Sequence, residues 1–495
     1  MRQYEQFSAC LKRILEEEQL SASQVAKTLN MRSRNSIFRI LAGQTSVRVQ
    51  EAFLQTLKEQ YAGVWSPKHW QDLEESLEIS RIGVDDYRGR RALHALIHTR
   101  DDQQEMLLNI PRPHNGYAIG ELRPVLEELF RDGQFTISIC GCCTLPLTRL
   151  LAELLQQPGR EGRVYMRHYV NMTERVVVQN VVAIQPLMYF NWYDPLMVEP
   201  DTCTEEMMAV YSAGTIFIEK LTDDGEQTYV KYIMYDHDKL YRVSTESRGI
   251  AETIRLLNSF GDDLPKLTTE YPANTGVEDY LRFTEYYREL ESNKEVLSLK
   301  PDVPINYIHP DILLPVVIDG FRESGFVTED ADMAGIVQMF YDIHLQRYEN
   351  FVKKRKVTHE VFSLEAMRKF MRTGEQSDHF FAMRPYTLAE RLAILNHLRD
   401  ESANNPYFSV HFLKPEFNHP TMEVTMFDGI GVLFTRFDSD YNLSGDHSEA
   451  LITHPLFQEK FRDFFMHDLL PNCTMSHKES LNALAELAKD AVKYG

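Results

Sequence analysis

The amino-acid sequence predicts a multidomain α+β chain: a small all-α bundle at the N-terminus, a helical linker, and an α/β body of two related halves with a helical insert. Three observations carry this expectation. The chain has 495 residues, enough for about three domains at roughly 150 residues each. Its first 60 residues show only helical periodicity and carry nine Lys/Arg against six Asp/Glu, a charge of +3, whereas the whole chain is at −20 and the remaining 435 residues therefore at −23. From residue 119 onward, short apolar runs alternate with helical ones, and one run recurs.

Composition bounds the rest. A hydrophobic content of 43% and a charged content of 25% are those of an ordinary globular protein. No apolar run approaches the ~18 residues of a membrane span, and MRQYEQFSACLKRILEEE places charges where a signal peptide needs an apolar stretch. Six cysteines are too sparse for a disulfide framework. A cytoplasmic protein with no membrane partner is expected.

The segment 1–60 is the most informative. Between Glu18 and Glu51 lie 32 positions without one acidic residue, where about five are expected at the chain's own frequency, and they hold Lys27, Arg32, Arg34, Arg39 and Arg48. A basic, acid-free face on an acidic protein suits a polyanion, while a phosphate backbone repels the body. Phe7, Leu11, Ile14 and Leu15 mark one face of a first helix. Ser21 or Ser23 can cap a second, with Val25, Ala26 and Leu29 inward. Asn30-Met31 supplies the break. Ser33 caps a third helix with Ile37, Ile40 and Leu41 inward, and Gly43 suits its left-handed end. A fourth buries Phe53, Leu54 and Leu57.

The Gln-Val-Ala-Lys-x-Leu of the second helix, the Ser-x-x-x-Ile-x-Arg-Ile-Leu of the third and the trailing Ala-Gly resemble the helix-turn-helix of phage-repressor/Cro-like (XRE-type) regulators. The likeness covers about 60 residues, and the turn from Ala26 to Ile37 is about one residue longer than that family's usual spacing. The resemblance implies a third helix in the major groove of double-stranded DNA, with Arg34, Asn35 and Ser36 at base edges, because Arg pairs guanine and Asn pairs adenine bidentately. Arg39 would lie near the groove wall or a phosphate. Lys27, Arg32, Gln24 and Gln44 would hold phosphates, which position the helix without specifying sequence. The bland alternative is a protein-docking bundle with a solvated basic face.

Residues 61–118 read as amphipathic helices, with Trp65, Trp70, Leu73 and Leu77 on one side and the loop PRPHNGYAIG at the end. They could pair two chains into the homodimer common among such regulators, or pack on the body.

In 119–275, FTISICG and VYMRHYV read as strands around the helix LPLTRLLAELLQQ, followed by the hairpin GTIFIEKL–QTYVKYIMYD. The interval 276–375 reads as mostly helical. In 376–495, strands return as PYFSVHFLK and MEVTMFDGIGVLFTRF. Ile233-Met-Tyr-Asp aligns with Thr425-Met-Phe-Asp at an offset of 192, placing Asp236 and Asp428 at hairpin turns. Two such halves suggest a pseudo-twofold body with a ligand cleft at their joint.

The second copy, with EALITHPLFQEKFRDFF and the Leu-Leu-Pro after it, is similar to the end of a phospholipase D-like half. That family implies a His-x-Lys pair in each half, one His as nucleophile and the other as general acid. This chain has His237-Asp238-Lys239, with Ser244 where that family has Asp, but Gly429-Ile430-Gly431 at the second turn; His419-Pro420-Thr421 nearby lacks the Lys. One half-motif cannot run a two-His mechanism, so a non-catalytic, sensor-type body is expected.

Other tempting residues have plain alternatives. Cys140, Cys142 and Cys143 could bind metal or sense oxidation, but no second pair stands at zinc spacing, and buried thiols are the simpler reading. His411, His419, His447 and His454 lack helical metal spacing and read as satisfied surface histidines. FVKKRK at 351–356 closes a helix and favours its C-terminal dipole. Phosphate loops, Ser/His/Asp sets and HExxH are absent from the sequence.

The expectation is therefore a sequence-specific DNA-binding transcriptional regulator with no catalytic residues, metal or cofactor, whose body dimerises and takes an unknown small ligand. The alternative is a phospholipase D-like phosphodiesterase or nuclease with a DNA-targeting head.

Overall fold

The computed structural model describes residues 5–31, 34–94, 123, 126–127, 130, 135–140, 145–155, 164–198, 206–212, 215–221, 229–236, 239–240, 264–270, 277–292, 294–301, 303, 307–323, 333–353, 355–376, 384–417, 422–436 and 449–494. The chain is a mixed α/β protein of two compact units, the first running to Arg91 and the second taking up at Ala92.

The first unit is all-α: α1 (Phe7–Glu17), α2 (Ala22–Thr28), α3 (Arg34–Leu41), α4 (Val47–Tyr61), α5 (Pro67–Ile82) and most of α6 (Val84–His94). Ser21 starts α2 with a capping box. Its Oγ accepts from the Gln24 amide at 3.3 Å while Gln24 Oε1 accepts from the Ser21 amide at 2.7 Å, a device worth about 1 kcal/mol. Asn30 ends the helix in a left-handed conformation, φ 48°, and lets the Met31 amide reach back to Ala26 O at 3.0 Å. Gly43, φ 69°, ends α3 the same way, with the Gln44 amide on Arg39 O at 2.9 Å.

Phe7, Leu11, Ile14, Val25, Ala26, Ile37, Ile40 and Leu57 fill the core between these helices. Trp65 and Leu73 are buried in that same core, and Trp65 stacks on Trp70 with ring centroids 5.0 Å apart. The Phe7 amide donates to Ser80 Oγ on α5 at 2.9 Å. Packing thus continues across the expected 60/61 division, and the aromatic stripe closes the bundle's own core.

The second unit holds two seven-stranded sheets of one plan. The first contains β1 (Phe135–Cys140), β2 (Val164–Asn171), β3 (Tyr193–Val198), β4 (Glu206–Ser212), β5 (Thr215–Leu221), β6 (Tyr229–Asp236) and β7 (Lys239–Leu240), in the order 3-2-1-4-5-6-7. The second contains β8 (Thr268–Glu270), β9 (Val296–Lys300), β10 (Thr358–Phe362), β11 (Phe408–Phe412), β12 (Met422–Phe427), β13 (Gly431–Arg436) and β14 (Glu449–Ile452), in the order 11-10-9-12-13-14-8. In each, three parallel strands continue into antiparallel ones. The two sheets share this succession of strands over six positions.

The helices of this unit are α7 (Leu145–Leu155), α8 (Val177–Ile184), α9 (Val277–Glu291), α10 (Pro310–Glu323), α11 (Met333–Lys353), α12 (Leu364–Thr373), α13 (Leu388–Asn404), α14 (Pro455–Phe464), a π-helix (Phe465–Cys473) and α15 (His477–Tyr494). One core joins Ile137, Met166 and Val181 to Leu299, Val424, Phe434 and Phe457. A second gathers Tyr307, Phe340, Leu398, Val410 and Leu484.

The expectation of a helical segment at 276–375 is incomplete: besides α9–α12, the interval supplies β9 and β10, two of the three parallel strands of the second sheet. Both are short and covered on both faces, so they lack the alternation that betrays a strand. The expected repeat also has the wrong register. Asp236 and Asp428 do sit at hairpin turns, but β12 flanks β9 as β4 flanks β1, so the counterpart of β12 is β4 rather than β6.

Among the described residues, one short segment hydrogen-bonds to both sheets. Leu267 donates to Pro195 O at 2.8 Å and Met197 to Pro265 O at 2.9 Å along the outer side of β3; the next residues are β8, paired with β14.

Candidate functional site

In the first unit, the expected contact residues fall on one exposed stretch of α2, α3 and the turn after it. Asn35 and Ser36 are exposed in the first turn of α3, and Arg39 is exposed one turn on, so Asn35 and Arg39 share a face at i, i+4 spacing. Lys27 is exposed in the last turn of α2, and Gln44 is exposed just past Gly43. Gln24 is exposed too, but its amide oxygen is committed to the capping box. Arg32 lies outside the described residues, and of Arg34 the helical backbone alone is described.

Electrostatics separate this surface from the rest of the bundle. Arg13 pairs with Glu5, Glu17 and Asp72 at 3.0, 3.0 and 3.1 Å, and His69 lies 3.0 Å from both Glu17 and Glu18. Arg13 holds the Glu17 carboxyl below its ordinary pKa. Lys58 pairs with Glu74. By contrast, Lys27, Arg39 and Arg48 have no carboxylate within 4.0 Å among the described residues. Two features of the surface escaped sequence reasoning. Phe38 is 52% exposed on α3, and Val49 is 46% exposed at the start of α4. Phe38 stands between the inward Ile37 and the outward Arg39, a position that helical periodicity could have flagged.

The second unit carries a buried polar network on one face of its second sheet. Lys300, Glu423, Thr435 and Glu449 lie in one row across β9, β12, β13 and β14, with Glu360, Ser298 and Thr425 in the next. Lys300 Nζ is 3.2 Å from Glu423 Oε1 and 3.7 Å from Glu360 Oε2. Tyr287 on α9 donates to Glu449 Oε1 at 2.8 Å, Tyr307 donates to Glu360, and Arg347 on α11 grips Glu291 with two bonds of 2.9 and 2.7 Å.

Burial raises the pKa of Glu360 against the pull of Lys300 and Tyr307. It raises that of Glu449 much further, with Glu423 adding repulsion. Burial opposes the charge on Lys300, but Glu360, Glu423 and Glu291 outweigh it and its pKa rises. The space among these groups is about 20 Å³, room for roughly one water. The network fixes the sheet to its covering helices.

Other sequence candidates resolve unevenly. His237, Asp238, Ser244, His419 and His447 lie outside the described residues, as do Cys142 and Cys143. Cys140 is buried as expected but disulfide-bonded rather than a thiol. His411 is not a surface histidine: it is largely buried, its ring 6.0 Å from that of His359 and 5.7 Å from that of His477, and burial and those neighbours push its pKa down to about 4. Arg355 donates to Lys353 O at 3.0 Å, capping the end of α11.

No protein-family profile matches the chain, and no curated protein matches it. Among solved structures, it is similar to a phosphatidylserine synthase of Haemophilus influenzae Rd KW20, at 9% identity over 76% of this chain and 91% of that one, with a TM-score of 0.26. A likeness so slight carries no conclusion about fold or activity.

Proposed function

We propose that α2 and α3 act as a helix-turn-helix that binds double-stranded DNA, and that the chain is a sequence-specific transcriptional regulator of the cytoplasm. Its body would serve dimerisation and sensing of a small ligand rather than catalysis. The supporting observation is the set of exposed cations Lys27, Arg39 and Arg48, which lack carboxylate partners among the described residues, while Glu5, Glu17, Glu18, Asp72 and Glu74 pair with Arg13, His69 or Lys58. Such a surface favours phosphate, and on this reading Asn35 and Ser36, exposed at the start of α3, would meet base edges.

A mobility-shift assay with the full chain tests this. Asn35→Ala and Arg34→Ala should abolish the preference among sequences, at about 1–3 kcal/mol per lost base contact. Lys27→Ala should weaken every duplex alike. Binding unchanged in all three, or no salt-sensitive binding by the parent chain, removes the proposal and leaves the bundle as a protein-docking module.

A further inference from the structure

The geometry points to a divalent transition-metal site in the second unit, formed by His94, Asp468 and Cys473, with zinc as the ion best suited to it. One ligand atom from each of the three lies within 4.8 Å of the others. His94 Nε2 is 2.8 Å from Asp468 Oδ2, and its ring stands edge-on to Phe464 with centroids 5.3 Å apart. Ala92 and Leu93, just before it, are each 1% exposed within the core, so packing of the helix end holds the residue in place alongside these two contacts.

The other two ligands owe their proximity to the π-helix that follows α14. In an α-helix, residues five apart are about 140° apart around the axis. A π-turn closes between i and i+5 and brings them one above the other. Asp468 and Cys473 are related in this way. Pro471 lies within the segment, and a proline has no amide to continue an α-helical ladder.

The chemistry of the donors agrees with the geometry. Cys473 is a free cysteine only 1% exposed, its sulfur without a hydrogen bond among the described residues and turned towards a carboxylate and an imidazole. Asp468 is 9% exposed; its Oδ1 accepts from Asn472 Nδ2 at 2.9 Å, an outer bond of the kind that orients metal ligands, and its Oδ2 lies on the side of His94. A sulfur, nitrogen and oxygen set selects zinc, cobalt or iron over calcium and magnesium. Three protein ligands leave a tetrahedral ion its fourth position for water or a small donor. A cysteine so enclosed is poorly placed as a nucleophile, which favours the ion over covalent catalysis.

Cobalt(II) titrated into the reduced full-length protein tests the assignment. About one ion per chain should bind, with a thiolate-to-cobalt charge-transfer band in the near ultraviolet and tetrahedral bands in the visible; zinc should displace both. Cys473→Ala should abolish the charge-transfer band, and His94→Gln should lower affinity at least tenfold. If Cys473→Ala fails to fold, thermal melting decides: zinc should raise the Tm of the parent chain and not that of His94→Gln. Absence of the band, a band that survives in Cys473→Ala, or a cobalt affinity or zinc-induced Tm rise in His94→Gln equal to the parent's, overturns the site.

Discussion

Asn30 adopts φ 48°, a conformation that costs an ordinary L-residue about 1–2 kcal/mol and glycine almost nothing. Asn30→Val should therefore lower the stability of the first unit by about 1–2 kcal/mol, whereas Asn30→Gly should leave it within about 0.5 kcal/mol, as measured by urea unfolding. Glu449 makes a second prediction at this scale. Its folded pKa is raised, chiefly by burial, so the native state holds a proton that the unfolded chain releases near pH 4.3. Stability from this group is intact below that pH and falls as pH rises towards the folded value. Glu449→Gln removes the dependence: its Tm should exceed that of the parent at pH 7, with the gap closing as pH approaches 4. A gap that widens on acidification would show that Glu449 is ionised in the fold.

Elements differ in how openly the sequence announces them. Ser21, Asn30 and Gly43 each carry a local chemical reason to start or stop a helix, and the helix ends follow them. The strands β1, β2, β5, β6 and β11–β13 are likewise visible as apolar runs between turns. β9 and β10 are not, because VLSLK and THEVF are five-residue runs buried on both faces between long helices. Helix α8 has the opposite difficulty. VVQNVVAI is rich in β-branched residues, yet seven of its buried side chains pack all round a helix, so tertiary context overrides propensity. Of the candidate sites, the cationic surface was legible from charge alone. The His94–Asp468–Cys473 cluster was not, since a five-residue spacing means nothing until a π-helix is known, and His94 is distant in sequence.

One element invites a direct test. Gly374 ends α12 at φ 74°, and a Cβ there would overlap the Tyr386 carbonyl, whose own amide donates to Gly374 O at 2.8 Å. Gly374→Ala combines a backbone clash with a left-handed φ, and should cost at least about 2 kcal/mol by thermal or urea unfolding. Gly429 has φ 71° but open space for 4 Å around the place a Cβ would take, so the same change there should cost only about 1 kcal/mol.

At the scale of the whole molecule, charge is divided unequally, +3 in the first 60 residues and −23 in the rest. If the proposed DNA binding holds, attraction must rise from a few local contacts against long-range repulsion. The logarithm of the binding constant should fall with the logarithm of salt by a slope of roughly 0.9 per phosphate contacted, and Lys27→Ala should reduce that slope by about one. Below about 100 mM salt the acidic body should begin to oppose binding, since the screening length then exceeds about 10 Å. A plot that stays linear through that range would show that the body's charge does not oppose binding.

The segment from Leu264 to Glu270 has a consequence in time. It lies against β3, already synthesised, yet its last three residues wait for β14, which begins only at Glu449. At about 5–20 residues per second, a ribosome needs on the order of ten to forty seconds to cover that gap. Throughout it, the nascent chain exposes a bare sheet margin, the kind of surface that chaperones shield and that neighbouring polysomes can pair with by mistake.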